Sequence, residues 1–222
     1  MAEQRTMSRR IDAMGSAVTG AWHHRVMTVW AVLALGFAAA FVAAMVAAAR
    51  GRSTKFVGSL AGLIALACGW VWWSDARMEA RLSQAASAVA GVQVHVDCQE
   101  LFFGEWMPTR GAGRVDARDD GSMDDVAHLD RKICTAAASW PEDDTDDAYT
   151  AVHVLTHEAG HVRGEANEAA TECWAVQNSA RVAEALGASR RRSERRAQWY
   201  LRAVFPRMSS TYRGDGCTIP GS

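Results

Sequence analysis

The chain lacks several features that mark familiar protein classes. Its 222 residues carry a formal net charge of −1, so there is no excess of positive charge and we expect no nucleic-acid partner. It has no internal repeats, which argues against a repeat architecture. It also has no C-x-x-C pair, so zinc held by cysteines is a poor explanation for its 5 cysteines. The arginine-rich stretch 190–196 is better explained as a solvated helix face.

Two long runs without charged side chains stand near the beginning of the chain. Residues 26–49 are long enough to cross a bilayer core of about 30 Å. Residues 56–73 form a second run, whose closing tryptophans suit a membrane–water interface. We therefore expect an N-terminal segment over 1–25, a transmembrane hairpin over 26–73 with spans 26–49 and 56–73, and one compact domain over 74–222. A buried helical hairpin of a soluble protein is the alternative.

The charges beside the runs give opposing indications of orientation. The connector contains Arg50, Arg52 and Lys55, and a short basic loop is typical of the cytoplasmic side, which would put the 74–222 domain outside. The N-terminal segment is also basic and would favour the opposite orientation; its charged residues are Arg5, Arg9, Arg10 and Arg25.

The cysteines favour the outside. Cys68 lies in the second span, and the 74–222 domain holds an even number, Cys98, Cys134, Cys173 and Cys217. An even set in one small domain favours disulfides and an oxidising compartment. Three connectivities are possible, and we expect Cys98–Cys134 and Cys173–Cys217. The combined expectation is a multi-pass protein of the cell membrane with an extracytoplasmic domain.

The periodicity of the 74–222 domain predicts a mostly α fold with a minor β component. Helices are expected over 74–90, 126–139 and 147–163, then in a segment that carries Glu168 and Glu172 and runs to about 186, and over roughly 193–205. Short strands are expected over 92–97 and 113–117. The tail from 209 to 222 is expected to be a loop.

The helix over 147–163 contains the string His157-Glu158-Ala159-Gly160-His161, which is an H-E-x-x-H pattern. Histidines four residues apart on a helix project from nearly the same face, so their imidazoles can share one Zn²⁺ ion. The glutamate between them can take a proton from a metal-activated water. The string therefore predicts Zn²⁺ as cofactor, His157 and His161 as ligands, and Glu158 as the catalytic base.

A third protein ligand is expected, because catalytic zinc sites usually have three. Glu168 and Glu172 are four residues apart on the next helix and share a face. A turn at Gly164 would aim that face at the histidines. His153 lies one turn before His157, but it is about 12 Å along the helix axis from His161 at roughly 1.5 Å per residue, so we expect a packed or supporting residue there.

The string and the segment Asn167-Glu168-Ala169-Ala170-Thr171-Glu172 together resemble the HExxH metallopeptidases called gluzincins. The resemblance implies that Glu168 is the third ligand and that Glu172 orients a ligand histidine. It also implies a zincin-like domain that cleaves peptide bonds. The stretch is similar as well to small bacterial membrane-linked HExxH proteins, whose core is followed by a cysteine and an aromatic residue, here Cys173 and Trp174.

The function expected from the sequence is a membrane-anchored zinc metallopeptidase with a peptide or protein substrate. Two alternatives remain open: a module stapled by metal and disulfides that catalyses nothing, and a hydrolase of non-peptide amides. The pattern leaves the substrate, the choice between Glu168 and Glu172, and the oligomeric state open.

Overall fold

Helices dominate the computed structural model, which describes residues 29–51, 55–98, 111–213 and 217. The expected mostly α fold with a minor sheet is confirmed. The chain divides into two compact units, Met1–Trp73 and Ser74–Ser222. The expected N-terminal segment over 1–25, with its arginines, lies outside the described residues, as does most of the tail after Arg213.

The first unit contains helix α1, Val29–Ala49, and the beginning of helix α2, Lys55–Ala90. Both helices are long and apolar enough to cross a membrane. Within this unit they approach each other closely, because a Cβ on Gly62 would stand 3.0 Å from the Phe41 ring and one on Gly58 would stand 3.2 Å from Cβ of Ala44. Small residues at such contacts are typical of packed membrane helices. Large apolar side chains such as Phe56 remain exposed.

Helix α2 also continues further than the sequence predicted. We expected a separate helix over 74–90, but the chain stays helical from Lys55 to Ala90 without a break. The reason is that the change from apolar to polar residues near Ser74 comes without a proline, so the backbone hydrogen bonds continue. The helix ends at Gly91, which has a φ of 74°.

The second unit has a small mixed sheet. Its strands are β1, His95–Cys98; β2, Gly113–Ala117; and β3, Met123–Leu129. The order is β1-β3-β2, with β1 parallel and β2 antiparallel to β3. The predicted strand over 113–117 is confirmed, and the strand predicted over 92–97 begins and ends slightly later.

The prediction of one helix over 126–139 is wrong in its first part. Residues up to Leu129 form β3, and helix α3 begins only at Arg131 and ends at Ser139. The spacing of three between Val126 and Leu129 is helical, and in the strand these two buried residues point to opposite faces; pairing of Val126 with His95 of β1 decides for the strand. Asp130 then starts the helix, because its side chain accepts a hydrogen bond from the backbone N–H of Lys132 at 2.8 Å.

Three further helices complete the unit: α4, Asp146–Val162; α5, Glu168–Ala185; and α6, Arg190–Ala203. A short 3-10 turn, Phe205–Arg207, follows α6. Helix α4 is the central element, and its neighbours are α3, α5, β2 and β3. Its side chains at Tyr149, Val152 and Leu155 are fully buried in the core. The expected metal helix therefore lies in the middle of the fold.

Arg81 on α2 joins the ends of two other helices. Its guanidinium donates to the backbone oxygens of Ala138 at 3.0 Å, Trp140 at 2.9 Å and Leu186 at 2.7 Å. These oxygens lie at the C-terminal ends of α3 and α5, where carbonyl groups have no partner within the helix. A positive charge is also favourable at the negative end of the helix dipole. Arg81 thus links the C-terminal ends of α3 and α5, two helices that contact α4.

The cysteine pairing that we expected is confirmed. Cys98 bonds to Cys134, which ties β1 to α3, and Cys173 bonds to Cys217, which ties the tail to α5. Cys68 is a free, buried thiol.

Candidate metal centre

The H-E-x-x-H string lies in the last two turns of α4. Thr145 starts this helix by accepting a hydrogen bond from the backbone N–H of Ala148, and acidic residues occupy the first turn, where they suit the helix dipole. His157 and His161 are both buried, and their ring centroids are 4.8 Å apart. Helical spacing thus places both imidazoles side by side on one face, as the sequence predicted.

The turn after α4 reverses the chain within a few residues. Gly164 has a φ of 104°, a region that L side chains rarely adopt. Its N–H donates to the carbonyl oxygen of His161 at 2.8 Å, and the N–H of Glu165 donates to the carbonyl oxygen of Gly160 at 3.3 Å. These bonds close the end of the helix in the manner of a glycine cap. The chain can therefore return directly towards the histidines.

Helix α5 begins immediately after this turn. Asn167 caps it, because its side-chain oxygen accepts from the backbone N–H of Ala170 at 2.9 Å. Glu168 is the first residue of α5 and so lies at the end of the helix that faces the histidines. The cap fixes the first residue of α5 and therefore the backbone position from which the Glu168 side chain extends.

A close contact sets the distance between α4 and α5. A Cβ on Gly160 would stand 2.8 Å from Cγ2 of Thr171 and 3.0 Å from the Trp174 ring. A larger residue fits at position 160 only if the Thr171 or Trp174 side chain, or one of the two helices, moves. One of the two variable positions inside the H-E-x-x-H string is thus occupied by glycine for a packing reason.

Three side-chain atoms converge at this place. Nε2 of His157 lies 3.1 Å from Nε2 of His161 and 3.1 Å from Oε2 of Glu168. Nε2 of His161 lies 3.5 Å from the same carboxylate oxygen. Among the described residues, these three form the one group of histidine, cysteine or acidic side chains that can hold a metal ion.

The outer ring nitrogens determine which inner nitrogens are free to bind. Nδ1 of His161 lies 2.7 Å from the carbonyl oxygen of Glu165, and Nδ1 of His157 lies 2.9 Å from Oε2 of Glu172. Both oxygens are acceptors, so both Nδ1 atoms carry the proton. In the neutral rings each Nε2 therefore presents a lone pair to the common centre, which is the arrangement that a metal-binding histidine needs.

The donor set fits a divalent transition-metal ion, and zinc is one such ion. Two nitrogen lone pairs and a carboxylate oxygen that face one another repel unless a proton or a cation lies between them. Ligand atoms about 2.0–2.2 Å from a tetrahedral Zn²⁺ stand roughly 3.3–3.6 Å apart. The observed separations of 3.1 to 3.5 Å agree with this within the reach of small side-chain adjustments. Two imidazoles and one carboxylate are ligands found at zinc sites, and the same set also suits other divalent transition metals such as iron.

Glu172 supports the centre without entering it. Its Oε2 accepts from His157, and its Oε1 lies 2.9 Å from Nε2 of His153 and 3.3 Å from the hydroxyl of Tyr200. Burial alone would raise the pKa of Glu172, but the hydrogen bonds from the two histidines outweigh it and lower the pKa to about 2. The structure therefore brings Glu168, and not Glu172, into the group of candidate ligands.

The negative surroundings also make His157 basic. Burial opposes its charged form, but the hydrogen bond to Glu172 and the charges of Glu158, Glu172 and Glu168 together raise its pKa. The field that would hold a proton on this ring would equally hold a metal cation.

Glu158 lies beside the group, between α4 and strand β2. A Cβ on Gly113 would stand 2.7 Å from its Oε1, and its buried Oε2 has no hydrogen-bond partner among the described residues. Burial raises the pKa of Glu158 to about 7; the charge of His157 opposes this rise, and the charge of Glu168 adds to it. A carboxyl group with a pKa near neutrality can both accept and return a proton.

Several contributors to the site had no clear signal in the sequence. Tyr200 comes from α6, and Gly113 comes from β2, each far along the chain from the histidines. The ring centroid of Tyr212 in the tail lies 5.8 Å from that of His157. Tyr149 is fully buried and shares a hydrogen bond with Ser179, which removes it from the centre. Sequence spacing reports neighbours on one helix, and these contacts join separate elements.

Comparisons of the chain with protein-family models, with curated proteins and with solved structures found no match.

Proposed function

We propose that the chain is a membrane-anchored zinc metallopeptidase whose Ser74–Ser222 unit is a zincin-like domain. The observation that carries the proposal is the convergence of Nε2 of His157, Nε2 of His161 and Oε2 of Glu168, with both Nδ1 atoms engaged by acceptors. His157, His161 and Glu168 would hold the ion. Two histidines and one carboxylate leave a fourth position for water or substrate in a tetrahedral site.

Each residue has a definite task in this proposal. When bound, a zinc ion lowers the pKa of a water molecule towards neutrality and polarises a carbonyl group. Glu158 would be the proton acceptor for the attacking water and would return the proton to the leaving amine. Glu172 and the carbonyl oxygen of Glu165 keep the two imidazoles in the tautomer that binds metal. Oε2 of Glu158 supports this role, because it is buried without a hydrogen-bond partner among the described residues.

The membrane anchor is supported by the exposed apolar faces of α1 and of the Phe56–Trp73 part of α2. In water such a surface is unfavourable, whereas in lipid it is solvated. We place the Ser74–Ser222 unit outside the cytoplasm, because two disulfides are expected to persist in an oxidising compartment. Protease added to intact cells should then cleave this unit.

The decisive experiment compares Glu158→Gln with the wild-type chain in detergent. The variant should still bind one zinc ion and lose peptide hydrolysis by a factor of about 100 or more, because the proton acceptor is gone. Glu142→Gln is the matched control, since Glu142 is exposed and away from the centre; it should keep full activity. Retained hydrolysis by Glu158→Gln would refute the role of the base. If the wild type binds zinc but hydrolyses no peptide, the result would favour a binding module held together by metal and disulfides. If it cleaves only non-peptide amides, the result would favour a hydrolase of non-peptide amides.

A further inference from the structure

His153 is a buried histidine that the proposed reaction does not use. It lies on α4 one turn before His157 and is 1% exposed. Its Nε2 lies 2.9 Å from Oε1 of Glu172, while the other oxygen of the same carboxylate holds His157. Its ring stacks on Tyr200 with centroids 3.7 Å apart. One carboxylate thus connects two histidines of the same helix.

We propose that His153 is a positioning residue of the metal centre, acting on His157 through the Glu172 carboxylate. The proposal rests on the proposed function, because it presumes that His157 binds metal. It adds a residue beyond the ligands and their direct partners. His153 has no place in the group of candidate ligands, so its effect must be indirect.

The hydrogen-bond chemistry requires His153 as a donor. An ionised carboxylate only accepts, so Nε2 of His153 carries its proton and gives it to Oε1 of Glu172. Nδ1 of His153 is then the unprotonated nitrogen, and it is buried without a partner among the described residues. Burying a nitrogen without a partner costs free energy. An apolar residue would fill this space without that cost. The single hydrogen bond to Glu172 therefore explains why a histidine occupies position 153.

Loss of the His153 donor would affect the metal centre through the Glu172 carboxylate, because one of its oxygens contacts His153 and the other contacts His157. Without His153, the donor left at Oε1 among the described residues is the Tyr200 hydroxyl at 3.3 Å, a longer contact than the 2.9 Å contact that is lost. The carboxylate can then rotate, and the acceptor that fixes the Nδ1 proton of His157 is held less firmly. Partners of metal-binding histidines typically contribute roughly 10- to 100-fold to metal affinity.

The test uses the full chain in detergent and measures zinc affinity by competition with a chelator. His153→Phe keeps the ring stacked on Tyr200 but has no donor, and we expect it to weaken zinc binding roughly 10-fold or more. His153→Gln keeps an N–H donor and should stay within about threefold of the wild type. With Co²⁺ in place of zinc, the visible spectrum of His153→Phe should shift, because the orientation of His157 changes; a purely structural role would leave that spectrum unchanged.

The outcomes separate this inference from the proposed function. Wild-type affinity and an unchanged cobalt spectrum in His153→Phe would overturn the role of His153 alone. Absence of zinc binding by the wild type would overturn both proposals. If His153→Phe does not fold, ¹⁵N spectra of the histidines in the wild type decide: we expect the proton of His153 on Nε2 with and without zinc, and a proton on Nδ1 alone would overturn the inference.

Discussion

Gly160 and Thr171 pack so tightly that a single methyl group at position 160 would stand 2.8 Å from Cγ2 of Thr171. Glycine inside the H-E-x-x-H string therefore determines how closely the helix of the histidines approaches the helix of Glu168. The distance between the ligands depends on this contact, because the three donor atoms come from two helices.

Replacement of Gly160 by alanine tests this dependence. We expect Gly160→Ala to push α5 away from α4, lower the free energy of unfolding by about 1–3 kcal/mol and weaken zinc binding roughly 10-fold. Chelator competition and chemical unfolding measure the two effects. Addition of Thr171→Ser removes the opposing Cγ2 and should restore part of the affinity. Unchanged zinc affinity in Gly160→Ala would show that the contact does not control the ligands.

Gly113 offers a test of Glu158 that leaves the ligands in place. In Gly113→Ala the new Cβ would stand 2.7 Å from Oε1 of Glu158 and 2.8 Å from Cδ2 of Leu129, so the carboxylate must move. A misplaced catalytic group costs roughly 100-fold in rate. We expect peptide hydrolysis to fall by about that factor while zinc affinity stays unchanged. The control is Ala117→Ser, an exposed position on the same strand, and equal turnover in both variants would contradict the prediction.

The lowered pKa of Glu172 predicts that the free energy of unfolding of the metal-free protein falls in acid. Its pKa is about 2 in the folded chain and 4.5 when unperturbed, so the folded state favours the ionised form. The stabilisation is complete above pH 4.5 and is lost as the pH falls through 2, a loss of roughly 3 kcal/mol from about 1.4 kcal/mol per pH unit. Chemical unfolding at pH 5 and at pH 2 should show this loss in the wild type and a smaller one in Glu172→Gln. An equal loss in both proteins would refute it.

The two disulfides provide a matched pair of perturbations. Loss of either one, as Cys173→Ser with Cys217→Ser or as Cys98→Ser with Cys134→Ser, should cost roughly 4 kcal/mol, because the sequence separations of 44 and 36 residues are similar. The first pair also releases the tail whose Tyr212 lies beside His157. We expect EDTA to remove zinc several-fold faster from that variant than from the other. Equal rates would show that the tail does not cover the centre.

The sequence by itself determined what depends on neighbours along one helix. The spacing of His157 and His161 puts their rings on one face, since a helix turns once in about 3.6 residues. Gly164 predicted the reversal after that helix, and Gly164 does close α4. The even number of cysteines in the 74–222 domain and the two uncharged runs are likewise apparent from the amino-acid sequence alone. The disulfides and two long apolar helices of the structure agree with them.

Only the tertiary structure decided which elements meet. Val126 and Leu129 satisfied a helical period, yet they belong to a strand because β1 lies beside them to complete the hydrogen bonds. Glu168 and Glu172 were equivalent by spacing. In the structure the first lies against both histidines and the second lies behind His157. Contacts between separate elements depend on the distance and angle at which those elements pack. The hydrophobic periodicity of one element does not predict that distance or that angle.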